Sequence, residues 1–358
     1  MKNITKKETR YYNDPNNYFK DLLKDIKFAK KKIYIETYRL GGEIAFELRA
    51  ELLKCAKRGV KIKLLIDHWG SMVPDTFFKE IETLGAQVRF FRVFKITTNL
   101  ISYNNRRDHR KIVLIDDDIT YIGSSNITDN CKAWREFIIR IKRAKLNEKL
   151  EEVFLDNFKL HNFFLHSAKR HIKPIKYETL EIVRDVPSLR FQKIRNKHLH
   201  LIRGAKQEVL IETPYFVPDL KTLLTLMNAA KRGVDVKLIL PKKSDMTLVD
   251  TFTQSLFGKL HKRGVKILFY NKKFSHSKIS LIDNKTFSFG SSNFDYRSFR
   301  YQYEIAIFGK DEVLLNYVKT HLKESLKDAE EFNYETWRKR PLYKRLLEII
   351  LDPIKHFF

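Results

Sequence analysis

Apolar residues along this chain switch repeatedly between a period of two and a period near 3.6. Lys32-Ile-Tyr-Ile-Glu-Thr-Tyr38, Val60-Lys-Ile-Lys-Leu-Leu-Ile66 and Ala86-Gln-Val-Arg-Phe-Phe91 read as strands. Helical spacing precedes or separates them: Tyr18 to Phe28, with apolar residues at 19, 22, 23, 26 and 28, then Glu43 to Arg58, closed by Gly59, then Phe77 to Leu84. Such alternation predicts an α/β layer with parallel pairing. Ile112-Val-Leu-Ile115 is a short unbroken apolar run, which suits a strand buried on both faces. Ile119 to Ile122 and Glu136 to Ile141 follow as strands. Leu146 to Leu165 is predicted helical, with Leu150, Val153, Phe154, Phe158 and Leu160 inward. Residues 93–107 lack a period and are expected to form a loop that shapes a pocket entrance.

The second half restarts the same programme. Leu189 to Ala205 is predicted helical. Glu208-Val-Leu-Ile-Glu-Thr213 matches Tyr34-Ile-Glu-Thr37, and Ala229-Ala-Lys-Arg-Gly-Val234 matches Cys55-Ala-Lys-Arg-Gly-Val60. The duplication therefore spans about a whole domain. His166 to Tyr177 is basic, contains Pro174 and has no clean period, which places the linker there. The division expected is 1–168 for a first domain, 169–340 for a second and 341–358 for a tail. In the tail Leu342, Leu346, Ile349, Ile350 and Ile354 share one side at about 100° per residue, and Lys344, Arg345, Glu348, Asp352 and Lys355 the other. Pro353 should end or kink that helix, and Arg338-Lys-Arg340 forms a basic collar before it.

Within the repeat, one pattern is strict. Asp108-His-Arg-Lys-Ile-Val-Leu-Ile-Asp116 and Ser275-His-Ser-Lys-Ile-Ser-Leu-Ile-Asp283 both read H-x-K-x4-D, and Gly-Ser-Ser-Asn follows each at the same distance, Gly123 to Asn126 and Gly290 to Asn293. Residues i and i+2 of a strand face one side, which would set His109 beside Lys111 and His276 beside Lys278. Asp116 to Asp118 and Asp283 to Lys285 read as turns. A second strand would then return Ser124 and Asn126, or Ser291 and Asn293, to the same end. A pseudo-twofold axis between the halves can bring both ends together into one shared site.

Composition narrows the partners. The 358 residues suffice for two domains with full cores, and 43% hydrophobic content marks a globular chain. A formal net charge of +27 points to a polyanionic partner, nucleic acid or an anionic lipid surface, with a Lys-rich background accounting for part of the excess. No segment approaches the ~18 apolar residues of a spanning helix, and the start Met1-Lys-Asn-Ile-Thr-Lys-Lys lacks a signal-peptide core. The two cysteines, Cys55 and Cys131, form no paired motif, which suits a reducing cytosol and argues against a disulfide framework or zinc site.

Two imidazoles and two ammoniums suit phosphoryl chemistry. One histidine can attack phosphorus while the other protonates the leaving oxygen. Lys111 and Lys278 can neutralise phosphate oxygens, and the hydroxyls of Ser124 and Ser291 and the amides of Asn126 and Asn293 can donate to them. No metal or other cofactor is then required. A nucleophilic histidine needs an acceptor on its other nitrogen, and Glu136 and Glu304, 27 and 28 residues after their histidines, are candidates.

These motifs resemble the phospholipase D superfamily, whose signature is a doubled H-x-K-x4-D followed by G-S-x-N. The recurring stretches Thr213-Pro-Tyr-Phe-Val-Pro-Asp219, Gly290 to Ser298 and Trp337 to Leu347 are similar to its bacterial cardiolipin synthase family, in the shorter form without N-terminal membrane spans. The resemblance implies two duplicated domains, each a mixed sheet flanked by helices. It also implies transfer of a phosphatidyl group between two phosphatidylglycerols, giving cardiolipin and glycerol through a phosphatidyl-histidine. His109 maps to the nucleophile and His276 to the acid and then base. Asp116 and Asp283 complete the motif, more often as structural than as chemical residues, and Tyr38 and Tyr215 would contact substrate. Gln302 stands where the family usually has Asn, and Glu136 where Asp is common.

Each residue also has a plainer reading. Asn126 and Asn293 suit turns, Glu136 and Glu304 suit charged strand starts, and Phe216 suits core packing. The tail could lie on the protein itself, although its collar favours a membrane surface and a peripheral place on the inner face of the cell membrane. The competing function is a metal-independent phosphodiesterase of the same superfamily, either a phospholipid hydrolase or a nuclease. No single-strand stacking platform is visible in favour of nucleic acid.

Overall fold

The computed structural model describes residues 5–91, 106–160, 172–188 and 190–351. The expected entrance loop and the start of the expected linker fall mostly outside that set, as do Leu189, the end of the helix from Leu146 and the tail from Asp352.

Two mixed sheets carry the halves. The first orders its strands Thr9–Tyr12, Ile138–Lys142, Ile119–Gly123, Ile112–Ile115, Lys32–Thr37, Lys61–Asp67 and Gln87–Phe91. In the second, six strands repeat that order: Gln302–Gly309, Thr286–Gly290, Ile279–Ile282, Glu208–Glu212, Asp235–Pro241 and Lys266–Tyr270. In each, the last three strands run parallel and the hairpin pairs antiparallel, so the duplication covers a six-stranded unit.

The halves differ at their edges. Thr9–Tyr12 adds an outer strand to the first sheet, beside Ile138–Lys142, in a stretch whose polar sequence hid it. The second sheet gains Ile175–Tyr177 and Leu180–Asp185 on one side and Ala329–Glu331 on the other. Ile175–Tyr177 is thus a strand where the composition predicted linker. Pairing with Leu180–Asp185, itself on Gln302–Gly309, supplies the order that a short basic segment cannot display.

Ile112–Ile115 alternates between two cores. Ile112 and Leu114 enter the cluster shared by both halves, and Val113 and Ile115 enter the first half's outer cluster. Burial on both faces explains why the run carries no polar position, each such side chain being worth roughly 1.5–3 kcal/mol. The shared cluster also takes Leu146, Leu150, Val153, Phe154 and Phe158 from the helix Ala144–Leu160, and Leu314, Val318 and Leu322 from the helix Glu312–Lys327. Outer layers come from the helices Pro15–Lys27 and Glu43–Lys57 on one side and Leu220–Lys231 and Thr247–His261 on the other. Among the described residues no helix is long and apolar enough to cross a membrane.

Candidate active site

Short strands exchanged between halves set the two motifs face to face. Arg107–Asp108 pairs in parallel with Gln302–Tyr303, and Arg135 bridges Ser275. The His109 amide donates to the Tyr303 carbonyl (3.0 Å) and the His276 amide to the Arg135 carbonyl (2.8 Å). Each histidine is therefore anchored to the residue just before the other half's glutamate.

That register decides the side chains. His109 Nδ1–H donates to Glu304 Oε1 at 2.9 Å, and His276 Nδ1–H to Glu136 Oε1 at 2.8 Å. Sequence spacing suggested each glutamate for the histidine of its own half; the fold crosses them. Both carboxylates are fully buried. Bonded this way, each ring leaves Nε2 with a free lone pair, and both rings line one cavity of about 330 Å³.

The serines of the Gly-Ser-Ser-Asn stretches hold the glutamates and not the cavity. Ser124 Oγ donates to Glu136 Oε2, and Ser291 Oγ to Glu304 Oε2. The preceding glycines permit this approach: a Cβ on Gly123 would lie 2.2 Å from the Phe137 carbonyl, and one on Gly290 2.2 Å from that of Ile305. The phosphate-binding role expected of these hydroxyls gives way to a positioning one. Asn126 and Asn293 do line the cavity. Asn126 Oδ1 accepts from the Arg39 amide at 3.3 Å, while Asn293 Oδ1 is buried with no hydrogen-bond partner among the described residues.

His109 and Lys111 lie just before their strand, as do His276 and Lys278, so strand alternation is not what pairs them. Each lysine folds back instead. Lys111 Nζ donates to the His109 carbonyl at 2.5 Å and Lys278 Nζ to the His276 carbonyl at 2.6 Å. Burial pulls both ammoniums down, Lys111 to about 8 and Lys278 to about 7, against the pull of Glu304 and Glu136.

Asp116 and Asp283, counted among the catalytic residues by motif, stand away from the cavity. Asp116 accepts backbone N–H from Lys30, Lys31 and Lys32 at 3.0, 2.7 and 3.2 Å; Asp283 does so from Lys206, Gln207 and Glu208 at 3.0, 2.8 and 3.1 Å. Both sit at positive φ, 51° and 50°, where a short side chain can bond the backbone locally. They tie the hairpin turn to the start of the neighbouring strand.

Electrostatics separate the histidines. Burial depresses His109 well below the usual imidazole range, and Lys111 and Lys278 add to it. Burial also lowers His276, but there Glu136 opposes the fall. Glu304 is pushed up to about 7 by burial, against Lys111 and the Ser291 hydrogen bond. The Tyr38 ring meets His109 edge-on at 5.0 Å between centroids. Tyr215 meets His276 similarly at 6.3 Å and gives its hydroxyl to Asp245. Sequence reasoning missed Arg39, Trp134, Asp245 and Arg297 of the wall. Aligning Ile-Glu-Thr37 on Ile-Glu-Thr213 was the available signal for Arg39, since it sets that residue against Tyr215.

Comparison with known proteins identifies the family. The family model described as cardiolipin synthase, PLD-like domain, matches residues 22–157 and 198–326. The chain belongs to that family. The major cardiolipin synthase ClsA of Bacillus subtilis is 32% identical over 95% of this chain and 74% of its own length. Cardiolipin synthase 1 of Staphylococcus aureus is 32% identical over 96% and 73%. Among solved structures, phosphatidylserine synthase of Haemophilus influenzae superposes with a TM-score of 0.78 over 99% of this chain and 96% of that one, at 13% identity, which establishes the shared fold. The chain thus carries one copy of the motif in each matched half, with one cavity lined by both.

Proposed function

We propose that this chain joins two phosphatidylglycerols into cardiolipin and releases glycerol. The observation that carries the reading is the crossed pair of His–Glu contacts opening on one cavity. His109 Nε2 attacks the donor's phosphorus, and the P–O bond to the headgroup glycerol breaks. His276, protonated with Glu136 behind it, gives its Nε2 proton to the departing oxygen. The phosphatidyl group is then held on His109 through a P–N bond. The primary hydroxyl of a second phosphatidylglycerol passes its proton to His276, and its oxygen attacks phosphorus. The P–N bond breaks and its electron pair returns to His109. Lys111 and Lys278 place positive charge beside the site, where burial strengthens its hold on phosphate oxygens. Ser124 and Ser291 fix the glutamates, and Tyr38 and Tyr215 wall the substrate.

We place the two catalytic domains at 1–168 and 169–340, with residues 341–358 as a membrane-docking tail. Its helix Leu342–Leu351 turns Glu348 inward: Arg340 grips that carboxylate at 2.8 and 2.7 Å, and Glu348 is buried. Leu342, Leu346, Ile349 and Ile350 face outward, 74%, 58%, 69% and 68% exposed. Leu351 packs against the cluster of Val217, Val249, Phe252 and Tyr296, of which Val249 lines the cavity, so this helix flanks the reaction centre. An anionic bilayer is the occupant that suits a lipid substrate and a charge of +27, on the cytoplasmic side where Cys55 and Cys131 stay reduced.

Purified protein incubated with phosphatidylglycerol vesicles should yield cardiolipin and glycerol in equal amounts, read by thin-layer chromatography and a glycerol assay. Phosphatidic acid as the product would make water the acceptor and replace this reading with hydrolysis. No lipid product together with cleavage of plasmid DNA would replace it with a nuclease.

A further inference from the structure

Transfer, unlike hydrolysis, must accommodate a second phosphodiester. The acceptor lipid carries one a single glycerol away from the hydroxyl that attacks. Enclosed in a narrow cavity, that anion needs its own cation, because an unpaired buried charge is costly. Lys111 and Lys278 are committed beneath the imidazoles. Two guanidiniums remain on the wall, Arg39 and Arg297. Arg297 is near enough to depress His109, and its Nε donates at 3.2 Å to the Gln302 amide oxygen once that amide is turned to donate 3.0 Å to Glu304. It belongs to the donor side.

Arg39 is different. Its backbone is fixed three ways: the amide donates to Asn126 Oδ1 (3.3 Å), and the carbonyl accepts from Thr37 Oγ1 (3.1 Å) and the Ile127 amide (3.1 Å). The residue is partly buried, and among the described residues no hydrogen-bond acceptor or carboxylate holds its guanidinium. Its charge reaches the phenols of both Tyr38 and Tyr215, so it stands where the two halves' walls meet. The equivalent position in the second half is Tyr215: its carbonyl accepts from Thr213 Oγ1 (3.0 Å), as that of Arg39 does from Thr37. There the hydroxyl is spent on Asp245, an anion that repels phosphate. A rooted, unpaired planar fork on one wall and a carboxylate on the other form an asymmetric subsite for a phosphodiester.

We infer that Arg39 binds the phosphodiester of the acceptor lipid and so selects an anionic lipid over water or a neutral alcohol as the second substrate. This rests on the transferase reading and adds to it the residue that chooses the acceptor. The test compares two reactions sharing the donor half-reaction: cardiolipin formation from phosphatidylglycerol vesicles, and exchange of labelled free glycerol into phosphatidylglycerol. R39Q should lower cardiolipin formation by roughly 10–100-fold, as expected for a lost charged hydrogen bond, and leave glycerol exchange within about twofold. R39K should fall between, keeping charge but not the fork. Equal loss in both reactions would overturn the inference, since Arg39 would then serve the donor or the fold. No loss in either would overturn it as well. A wild-type protein that forms only phosphatidic acid would remove the transferase reading itself, before any variant is compared.

Discussion

His109 and His276 occupy matching places in two halves of one fold, yet their surroundings diverge. His109 meets Tyr38 and has Arg110 beside it in sequence, a buried guanidinium that reaches the Glu304 carbonyl (3.3 Å), the Asp185 carbonyl (3.0 Å) and Glu36 (3.4 Å). His276 is crowded by Trp134 at 5.0 Å and Phe274 at 5.9 Å, and Ser277 takes the place of Arg110, bonded to His321, which in turn meets Glu212. The residues in register, His, Lys, Gly, Ser, Asn and Glu, serve needs common to both halves: charge, tautomer and close strand approach. The residues that differ break the symmetry. A ring driven strongly toward its neutral form suits a nucleophile, and a ring whose carboxylate opposes that drift suits the group that must carry the extra proton. A two-step transfer needs both.

The sharpest way to break this comparison is to remove each ring. His109→Ala should abolish turnover with any donor. His276→Ala should cost roughly 10²–10⁴-fold with phosphatidylglycerol. With a p-nitrophenyl phosphodiester, whose leaving group needs no proton, it should recover much of that loss. Recovery by His109→Ala in place of His276→Ala would exchange the two roles. The crossed glutamates come next. Measured with the same activated donor in a His276→Ala background, adding Glu304→Gln should cost on the order of tenfold or more, and adding Glu136→Gln almost nothing, because its partner is already gone. The reverse pattern would mean that each glutamate serves its own half.

A smaller effect lies in pH. Lys111 at about 8 and Lys278 at about 7 lose charge as pH rises. Phosphate capture by the free enzyme should weaken accordingly, and kcat/KM should fall on the alkaline side between those values. Bound phosphate favours the ammonium forms, so kcat should bend less. Lys278→Arg should push the alkaline limb upward more than Lys111→Arg, Lys278 being the first to discharge. The smallest contrast is between the turns. Asp116→Ala and Asp283→Ala should each destabilise by about 1.5–3 kcal/mol in urea unfolding, and turnover of the folded fraction should change little. A large, selective loss of turnover in either would return that aspartate to the chemistry.

Much of this was legible in one dimension because the repeat is strict. Ile112–Ile115 displayed its double burial in the lack of any polar position, and Glu43–Lys57 its helix in apolar spacing and the following glycine. Thr9–Tyr12 and Ile175–Tyr177 did not, because short edge strands owe their order to a neighbour's hydrogen bonds. The Gly-Ser-Ser-Asn stretches were read as part of the site and their asparagines line the cavity, but the target of the serine hydroxyls depends on which strand passes within reach.

The order of residues by itself determined that there are two equivalent α/β units, that each delivers one imidazole, one ammonium and one carboxylate, and that the tail is amphipathic. Those follow from local period and from repetition, which a linear string records in full. Only the folded molecule decided that each glutamate serves the opposite histidine, that the motif aspartates hold backbone, that the tail buries Glu348 and exposes Leu342, Leu346, Ile349 and Ile350, and that Arg39 stands opposite Tyr215. Each depends on the register in which distant strands and helices meet, and that register is set by packing of the core both halves share.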